Sequence, residues 1–245
     1  DDRFGAEDPT SKQLKFHAQT GGSTLTAQQV ENNVVRVAYQ ALAAVLGGAQ
    51  SLHTNGKDEA LSLPTEQSVR TALRTQQILA HESGVADTID PLGGSYYVES
   101  LTDDLEAEAF EILEEVDRRG GMLDAVESGW VKRQIQDVAF ERQQEIESGD
   151  RVVVGVNEFQ VDEDPHVDVE EVDEDDEARQ VDRLDAVKDE RDDDAVEAAL
   201  GAVGDAAAGD DNVVPPIVDA VKAYATVGEI SDVLREEFGE YQPRL

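Results

Sequence analysis

The sequence predicts an α/β protein in which helices cover a parallel sheet, followed by a mostly helical, acidic extension. Segments with strand character alternate with amphipathic helices in the first half of the chain. Asp and Glu are massed in the second half, between segments with helical periodicity. Only two strand-helix units are evident, and a complete eight-stranded barrel needs about 250 residues by itself. We therefore expect the end of a longer α/β array rather than a complete one.

The first strand-helix unit opens the chain after a linker-like segment. Residues 14–19 predict a strand that ends in a glycine-containing turn. Thr26 and Gln29 have the spacing of a capping box, and the helix they predict stops at Gly47 and Gly48. Apolar residues recur at helical intervals between these limits: Val30, Val34, Val37, Ala41 and Val45.

The second unit follows directly and leads into longer helices. Residues 49–55 have the length of a buried strand, and residues 66–81 predict an amphipathic helix. A loop over residues 90–97 precedes a third helix, which ends at Gly120 and Gly121.

The remaining elements are mostly helical. Residues 130–147 predict a helix, and the Val152–Val154 run is the best remaining strand candidate. Residues 158–197 contain 20 acidic and 4 basic residues, so we expect them to be solvated and partly disordered at low salt, with an exposed helix over 178–200. An apolar stretch over 213–224 leads to a terminal helix, for which Thr226 and Glu229 form a capping box.

Composition excludes several classes of function. The formal net charge of -36 repels nucleic acid and anionic lipid, and it favours solubility at high salt. We expect a protein of a salt-rich cytoplasm, and a chelating or histone-binding acidic tract is the alternative. The chain lacks cysteine, so disulfides and thiolate metal sites are excluded. It also lacks a run of roughly 18 apolar residues and an apolar leader, so no membrane association is expected.

Polar clusters coincide with the predicted strand ends, where the loops of an α/β barrel converge on one mouth. They comprise His17 and Gln19 with Gly21 and Gly22, then Gln50, His53 and Asn55 with Asp58 and Glu59, then Asp90 with Gly93, Gly94 and Ser95. Paired His and Gln side chains suit recognition of an amide- or hydroxyl-rich ligand.

Each of these residues also has a purely structural interpretation. His17 and His53 could be buried neutral histidines bonded to backbone carbonyls, and Gly22 could serve a plain turn. Glu59 could accept from the two hydroxyls of a ribose or favour a helix N-terminus. No metal-ligand or nucleophile motif occurs, and Asp164-Pro165-His166 is interpreted as part of the solvated tract.

Several ordered motifs resemble one family, the coenzyme B12-dependent acyl-CoA mutases, and specifically the later part of the methylmalonyl-CoA mutase catalytic subunit. Residues 16–26 resemble its HxQTxGxxLT element, and residues 47–65 resemble GGTQSLHTNxxDEALxLPT. Shorter matches are Glu82-Ser83-Gly84, Asp90 to Tyr96, Gly120-Gly121-Met122, Gly155-Val156-Asn157 and Thr226 to Ile230.

The resemblance implies that the fold is the C-terminal portion of a (β/α)8 TIM-type barrel. Residues 1–130 would form the later barrel strands and helices, and residues 131–157 would close that region. Residues 158–200 would be the acidic, partly disordered tract, and residues 201–245 a C-terminal helical segment.

The resemblance also implies radical isomerisation of (R)-methylmalonyl-CoA to succinyl-CoA with adenosylcobalamin as cofactor. His17 and Gln19 match catalytic positions that face the active-site cavity. Gly22, Glu59 and Ser62 match cobalamin-contacting positions, with Glu59 placed for the adenosyl ribose. Ser62 stands where relatives often have alanine, and Gly21-Gly22-Ser23 where many have Ser-Gly-Trp, so the subfamily stays open.

The resemblance further implies partners. The earlier barrel strands, which bind the acyl-CoA, have no counterpart here, and neither has the domain that coordinates cobalt. We expect an N-terminal barrel segment, a separate cobalamin-binding small subunit and an oligomeric assembly, and we expect this chain alone to be inactive. Isobutyryl-CoA and ethylmalonyl-CoA mutases share the motifs, and a non-catalytic remnant that binds a mutase partner is a further alternative.

Overall fold

Two short parallel strands organise the first half of the chain. In the computed structural model, which describes residues 3–162 and 174–242, strand β1 is His17–Gln19 and strand β2 is Ser51–His53. The register pairs Ala18 with Leu52. The predicted strands over 14–19 and 49–55 are thus confirmed, but each is only three residues long and flanked by irregular chain.

Helices follow the two strands in the order that the sequence predicts. Those in the described part of the first half are α1 (Asn32–Leu46), α2 (Glu66–Glu82), α3 (Tyr96–Arg118), α4 (Met122–Glu127) and α5 (Trp130–Ser148). Helix α1 packs on α2, and α4 packs on α5. Val37 and Ala41 form the buried stripe of α1, and Ala72 belongs to the buried face of α2. The structure is therefore mostly helical, with one parallel strand pair within residues 3–162.

The prediction of a capping box at the start of α1 is wrong. Thr26 lies six residues before the helix, and its hydroxyl donates to the Gln28 carbonyl instead of capping. Gln29 adopts a left-handed backbone conformation with φ 46°, and its side-chain amide donates a hydrogen bond to the Phe159 carbonyl. The chain therefore turns between Thr26 and α1, and the helix begins without a side-chain cap.

The Val152–Val154 run does not form a strand within the described residues. It has one isolated bridge, between Val154 and Glu158, rather than a ladder. Asn157 explains this conformation, because its side chain accepts from the Val153 amide and donates to the Ile146 and Arg151 carbonyls. These bonds fold the chain into a loop around Asn157, so the Val152–Val154 run is not an extended strand.

The second half of the chain forms its own compact unit, within residues 172–245. Its helices are α6 (Glu174–Glu190), α7 (Asp193–Ala208), α8 (Val214–Lys222) and α9 (Val227–Phe238). The helix predicted over 178–200 is instead two helices, because Asp192 is extended and caps α7 by accepting from the Ala195 amide. Helix α7 continues through residue 200, where the sequence places a domain boundary. Asp164-Pro165-His166 lies outside the described residues.

A small apolar core holds this second unit together. Helix α7 packs on both α8 and α9. The buried members of the cluster are Val196, Val203, Ala220, Ala225 and Ile230. The first half differs, because large apolar side chains on α3 and α5 are exposed, among them Leu105, Phe110, Ile135 and Phe140. Between residues 3 and 162 and between 174 and 242, no helix combines the length and apolar character needed to cross a bilayer.

Candidate functional site

One face of the two-stranded sheet is polar. In the observed register His17 lies beside Ser51 and Gln19 lies beside His53, so all four side chains project from the same face. They are exposed, whereas Ala18 and Leu52 on the opposite face are half-buried. The interpretation of His17 and His53 as buried core histidines is therefore wrong.

His17 is oriented by its neighbour on the second strand. Its Nδ1 lies 2.7 Å from the Ser51 hydroxyl oxygen, within hydrogen-bonding distance. This contact leaves Nε2 of His17 as the ring nitrogen that can meet a ligand above the sheet.

Asn55 joins the ends of the two strands. Its side-chain oxygen accepts from Gln19 Nε2 at 3.3 Å and from the Thr20 hydroxyl at 3.0 Å. Its backbone amide donates to the same Thr20 hydroxyl oxygen at 3.0 Å. Thr20 and Asn55 are both buried, so this network fixes the position of the Gln19 amide at the edge of the polar face.

Gly22 lies against Asn55, and this contact requires a glycine. A Cβ built at Gly22 would approach Nδ2 of Asn55 to 2.8 Å, closer than real Cβ atoms come. Asn55 cannot easily move away, because both its backbone and its side chain are bonded to Thr20. Gly22 therefore keeps the turn after β1 close to the end of β2.

The loop after β2 carries Glu59 and Ser62, and the buried Asp58 shapes it. Oδ2 of Asp58 accepts hydrogen bonds from the Thr65 amide and hydroxyl, at 3.0 and 2.9 Å, and these bonds close the loop onto the start of α2. Its carbonyl accepts from the Ser62 amide at 3.1 Å. Burial would raise the pKa of Asp58, but hydrogen bonding by the Ser68 side chain and by the amide and hydroxyl of Thr65 outweighs it and lowers that pKa below its ordinary value.

Glu59 presents a buried oxygen that accepts no hydrogen bond from residues 3–162 or 174–242. The atom is Oε2, and the rest of the side chain is half-buried. Glu59 lines a pocket of ≈ 300 Å³ together with His53 and Gly56. A buried carboxylate oxygen without a donor is costly, so it favours a ligand that brings a hydroxyl or another donor.

Asn33 is a polar residue of this region that the sequence reasoning missed. It is fully buried, and its side chain contacts the loops that follow both strands. The sequence does indicate that Asn33 is buried, because it lies three residues after Val30 and four before Val37 on the apolar stripe of α1. A polar residue on such a stripe indicates a buried hydrogen-bonding role.

The structure brings together only two of the three predicted polar clusters. His17 and Gln19 adjoin His53 and Asn55, and Glu59 and Ser62 follow on the next loop. The third cluster lies elsewhere, because Asp90 and Gly93 line a pocket with Gly47 and Gly48, which precede β2. The expectation that Asp90 joins the same mouth is therefore wrong. Among the residues described, no three His, Asp or Glu side chains gather as metal ligands.

Comparison with known proteins gives a consistent family. The family model for methylmalonyl-CoA mutase matches residues 1–240. The 2-hydroxyisobutanoyl-CoA mutase large subunit of Aquincola tertiaricarbonis is 49% identical over 98% of this chain, which covers 43% of that protein. Methylmalonyl-CoA mutase of Escherichia coli (strain K12) is 46% identical over 97% of this chain, which covers 34% of it. The methylmalonyl-CoA mutase large subunit of Streptomyces virginiae is 44% identical over 99% of this chain, which again covers 34%.

These relatives are mutases, and the chain spans less than half of the length of each. The match nevertheless extends over almost the whole of this chain, including both strands and the loops that carry Gly22 and Glu59. The chain belongs to the methylmalonyl-CoA mutase family.

Proposed function

We propose that this chain is the C-terminal part of the catalytic subunit of an adenosylcobalamin-dependent acyl-CoA mutase. The observation that carries the proposal is the buried Oε2 of Glu59, to which no residue of the described part of the chain donates and which lies on the loop that follows β2. Family membership supplies the reaction class, and the polar strand face supplies groups that could contact a substrate.

The residues present fit an adenosyl ligand. Glu59 would accept hydrogen bonds from the ribose hydroxyls, which would satisfy its buried oxygen. Gly22 and Ser62 would let the two loops approach the cofactor, since Gly22 has no side chain and Ser62 has a small one. When bound, adenosylcobalamin supplies the radical chemistry, and the protein binds and orients the reactants.

His17 and Gln19 would contact the substrate. The Ser51 hydroxyl at Nδ1 of His17 fixes the ring, so that Nε2 faces the space above the sheet. Asn55 holds Gln19 by accepting from its amide nitrogen, which leaves the amide oxygen of Gln19 as an acceptor. These contacts orient polar groups without placing an ion pair beside a radical reaction.

The polar strand face is exposed in this chain, and we propose that the remainder of a (β/α)8 barrel covers it. Residues 1–130 would supply the later barrel strands, residues 131–157 would close this region, and residues 158–200 and 201–245 would form the acidic tract and the helical segment. The partners would be an N-terminal barrel segment and a cobalamin-binding small subunit, because two of the relatives are large subunits. A salt-rich cytoplasm is the proposed setting, supported by the net charge of -36.

Methylmalonyl-CoA is the substrate we propose, since the matching family model and the Escherichia coli and Streptomyces relatives bear that name. One observation favours a second candidate. The Aquincola relative, at 49% identity, is named for 2-hydroxyisobutanoyl-CoA.

Turnover of both acyl-CoA esters tests the proposal. The assay contains high salt, adenosylcobalamin and the cobalamin-binding subunit, and it compares this chain alone with this chain joined to its upstream barrel segment. We expect turnover only with the upstream segment, and the preferred ester identifies the substrate. Glu59→Gln should weaken adenosylcobalamin binding, whereas Glu82→Gln, an exposed change at the end of α2, should not. Folded protein without turnover of either ester would contradict the proposal and favour a non-catalytic remnant.

A further inference from the structure

Asn33 is a fully buried amide whose hydrogen-bonding capacity is used completely. Its Nδ2 donates to the Thr26 carbonyl at 2.9 Å and to the Lys57 carbonyl at 2.8 Å. Its Oδ1 accepts from the Thr26 amide at 3.1 Å and from Nη1 of Arg36 at 2.8 Å. An amide side chain has two donors and one oxygen with two lone pairs, so nothing is left unsatisfied.

These bonds connect two loops that are distant in sequence. The Gly22 loop, residues 20–31, follows β1 and contains Thr26. The Glu59 loop, residues 54–65, follows β2 and contains Lys57, two residues before Glu59. Asn33 bonds to the backbone of both loops, and so adds a second connection to the one that Asn55 and Thr20 make where the loops leave the strands. The Lys57 ammonium also forms an ion pair with Glu31, but that pair is partly exposed.

Arg36, one helical turn along α1, holds Asn33 in its orientation. Nη1 of Arg36 donates to Oδ1 of Asn33 and to the Thr26 hydroxyl, at 2.8 and 2.9 Å. Nη2 donates to the Val154 carbonyl at 2.8 Å. With Oδ1 committed to these donors, Nδ2 of Asn33 must face the two carbonyls, which fixes the direction of the amide.

We propose that Asn33 is a positioning residue that sets the spacing between the Gly22 loop and the Glu59 loop. Through this spacing it fixes the position of Glu59 relative to Gly22, the two residues proposed above to contact the cofactor. The part of this inference that concerns adenosylcobalamin rests on the function proposed above, whereas the coupling of the loops does not.

Hydrogen-deuterium exchange on the 245-residue chain in high salt tests the coupling. Asn33→Asp keeps the size of the side chain but places a carboxylate oxygen against two carbonyls. We expect amides in both loops to exchange about ten-fold faster, because both bonds are lost together. Asn32→Asp is the matched control, since the Asn32 side chain donates to Gln29 within the Gly22 loop and to none of residues 54–65. The control should leave residues 54–65 unchanged.

Two results would overturn the inference. One is unchanged exchange over residues 54–65 in Asn33→Asp. The other is equally accelerated exchange through β1, β2 and α2, which would show general destabilisation rather than coupling of the loops. If Asn33→Asp does not fold, Asn33→Ser provides the same comparison, because its shorter side chain cannot reach both carbonyls at once.

A visible-absorption titration with adenosylcobalamin, made on the assembled mutase, separates the two proposals. Asn33→Asp should raise the dissociation constant about ten-fold if the loop spacing shapes the cofactor site. Absence of binding by the wild-type assembly would refute the proposed function, and faster loop exchange in Asn33→Asp would then still support the coupling. Faster loop exchange with an unchanged dissociation constant would refute the cofactor part of the inference.

Discussion

Neutral amide side chains hold the strand-end region together at the level of single residues. Asn33 and Asn55 connect the loops, and Gln76 donates to the Leu52 carbonyl and the Thr54 hydroxyl. Amides satisfy buried backbone groups without the desolvation cost of a buried charge. Their bonds are also insensitive to salt, which screens charges and not neutral dipoles at contact distance. The bonds that these amides make to backbone groups should therefore change little over a wide range of ionic strength.

The contact between Gly22 and Asn55 gives a prediction for single substitutions. Gly22→Ala should lower the free energy of unfolding by about 1–3 kcal/mol, because the new methyl group displaces a bonded amide. Gly21→Ala is the matched control, since its Cβ would have its nearest contact at 3.5 Å. Urea unfolding in high salt measures both variants. Equal effects at the two glycines would contradict the close approach.

For single residues, the sequence predicted residue types at the strand ends better than it predicted their contacts. It singled out His17, Gln19, Gly22 and Glu59 because polar groups and glycines at strand ends are conspicuous. It missed Asn33, whose place on the apolar stripe of α1 indicates burial, but the carbonyls that Asn33 contacts could not be predicted because the fold brings them to it. It also placed Asp90 at the wrong end of β2, because strand ends cannot be assigned to one mouth without knowing the path of the loops.

At the level of elements, helix α9 shows how a terminal helix is fixed to its neighbours. The capping box predicted at Thr226 and Glu229 is confirmed in both directions. The Glu229 carboxylate also accepts hydrogen bonds from Nη1 and Nη2 of Arg191, at 2.8 and 2.7 Å. Arg191 lies between α6 and α7 and has a side chain only 9% exposed. One carboxylate thus caps α9 and joins it to the α6–α7 junction.

This arrangement predicts an acid-dependent contribution to stability. Hydrogen bonds from Arg191 and from the Thr226 amide lower the pKa of Glu229 to about 2, from an ordinary value of 4.5. The contribution is therefore complete above pH 4.5 and is lost as the pH falls toward 2. Glu229→Gln should unfold at lower temperature than wild type at neutral pH, and the difference should shrink over this range.

Thermal unfolding monitored by circular dichroism between pH 7 and pH 2 measures this difference. The matched control is Glu236→Gln on the same helix, an exposed residue with no ion pair among the described residues. A difference for Glu229→Gln that does not change with pH would contradict the assignment of the pKa shift.

Helices were predictable where apolar residues recur over many turns, and less predictable where local bonds intervene. Helices α2 and α5 begin and end within one residue of the predicted limits. Asp192 divides the predicted 178–200 helix, and Asn157 prevents the Val152–Val154 strand. Each change comes from a polar side chain that forms hydrogen bonds with nearby backbone groups. The periodicity of apolar residues does not reveal such bonds.

The two halves of the whole molecule differ in how completely their apolar surface is buried. The second unit encloses Val196, Val203 and Ile230 among α7, α8 and α9. In the first half, the α3 and α5 faces described above remain exposed. In the barrel proposed above, we expect these apolar faces to be covered by the rest of the assembly, since the chain spans only part of its relatives.

The buried core predicts that residues 172–245 fold as an isolated fragment. The fragment should be helical and melt cooperatively, because its contacts lie among its own helices. Val203→Ala should lower its free energy of unfolding by about 1–3 kcal/mol, since Val203 is fully buried. Val218→Ala, at an exposed position of α8, should change it by less than about 0.5 kcal/mol. A non-cooperative melt of the fragment would contradict its independence.

The net charge of -36 predicts that the stability of the chain depends on salt. Lowering KCl from roughly 1 M to roughly 0.1 M lengthens the screening distance from about 3 to about 10 Å, so repulsion among carboxylates increases. The unfolding temperature should therefore fall. A parallel series at constant low salt with sucrose, which does not screen charge, is the control. An unfolding temperature that depends on sucrose but not on KCl would exclude electrostatic repulsion as the cause.

The neutral amide network described at the strand ends also has an evolutionary consequence. Substitutions that add carboxylates to exposed helix faces leave Asn33, Asn55 and their backbone partners untouched. A lineage can therefore change the charge of its surface without altering the hydrogen bonds at the strand ends. The two properties occur together in this chain, which has an acidic excess of 36 charges and is 44% to 49% identical to the mutases named above.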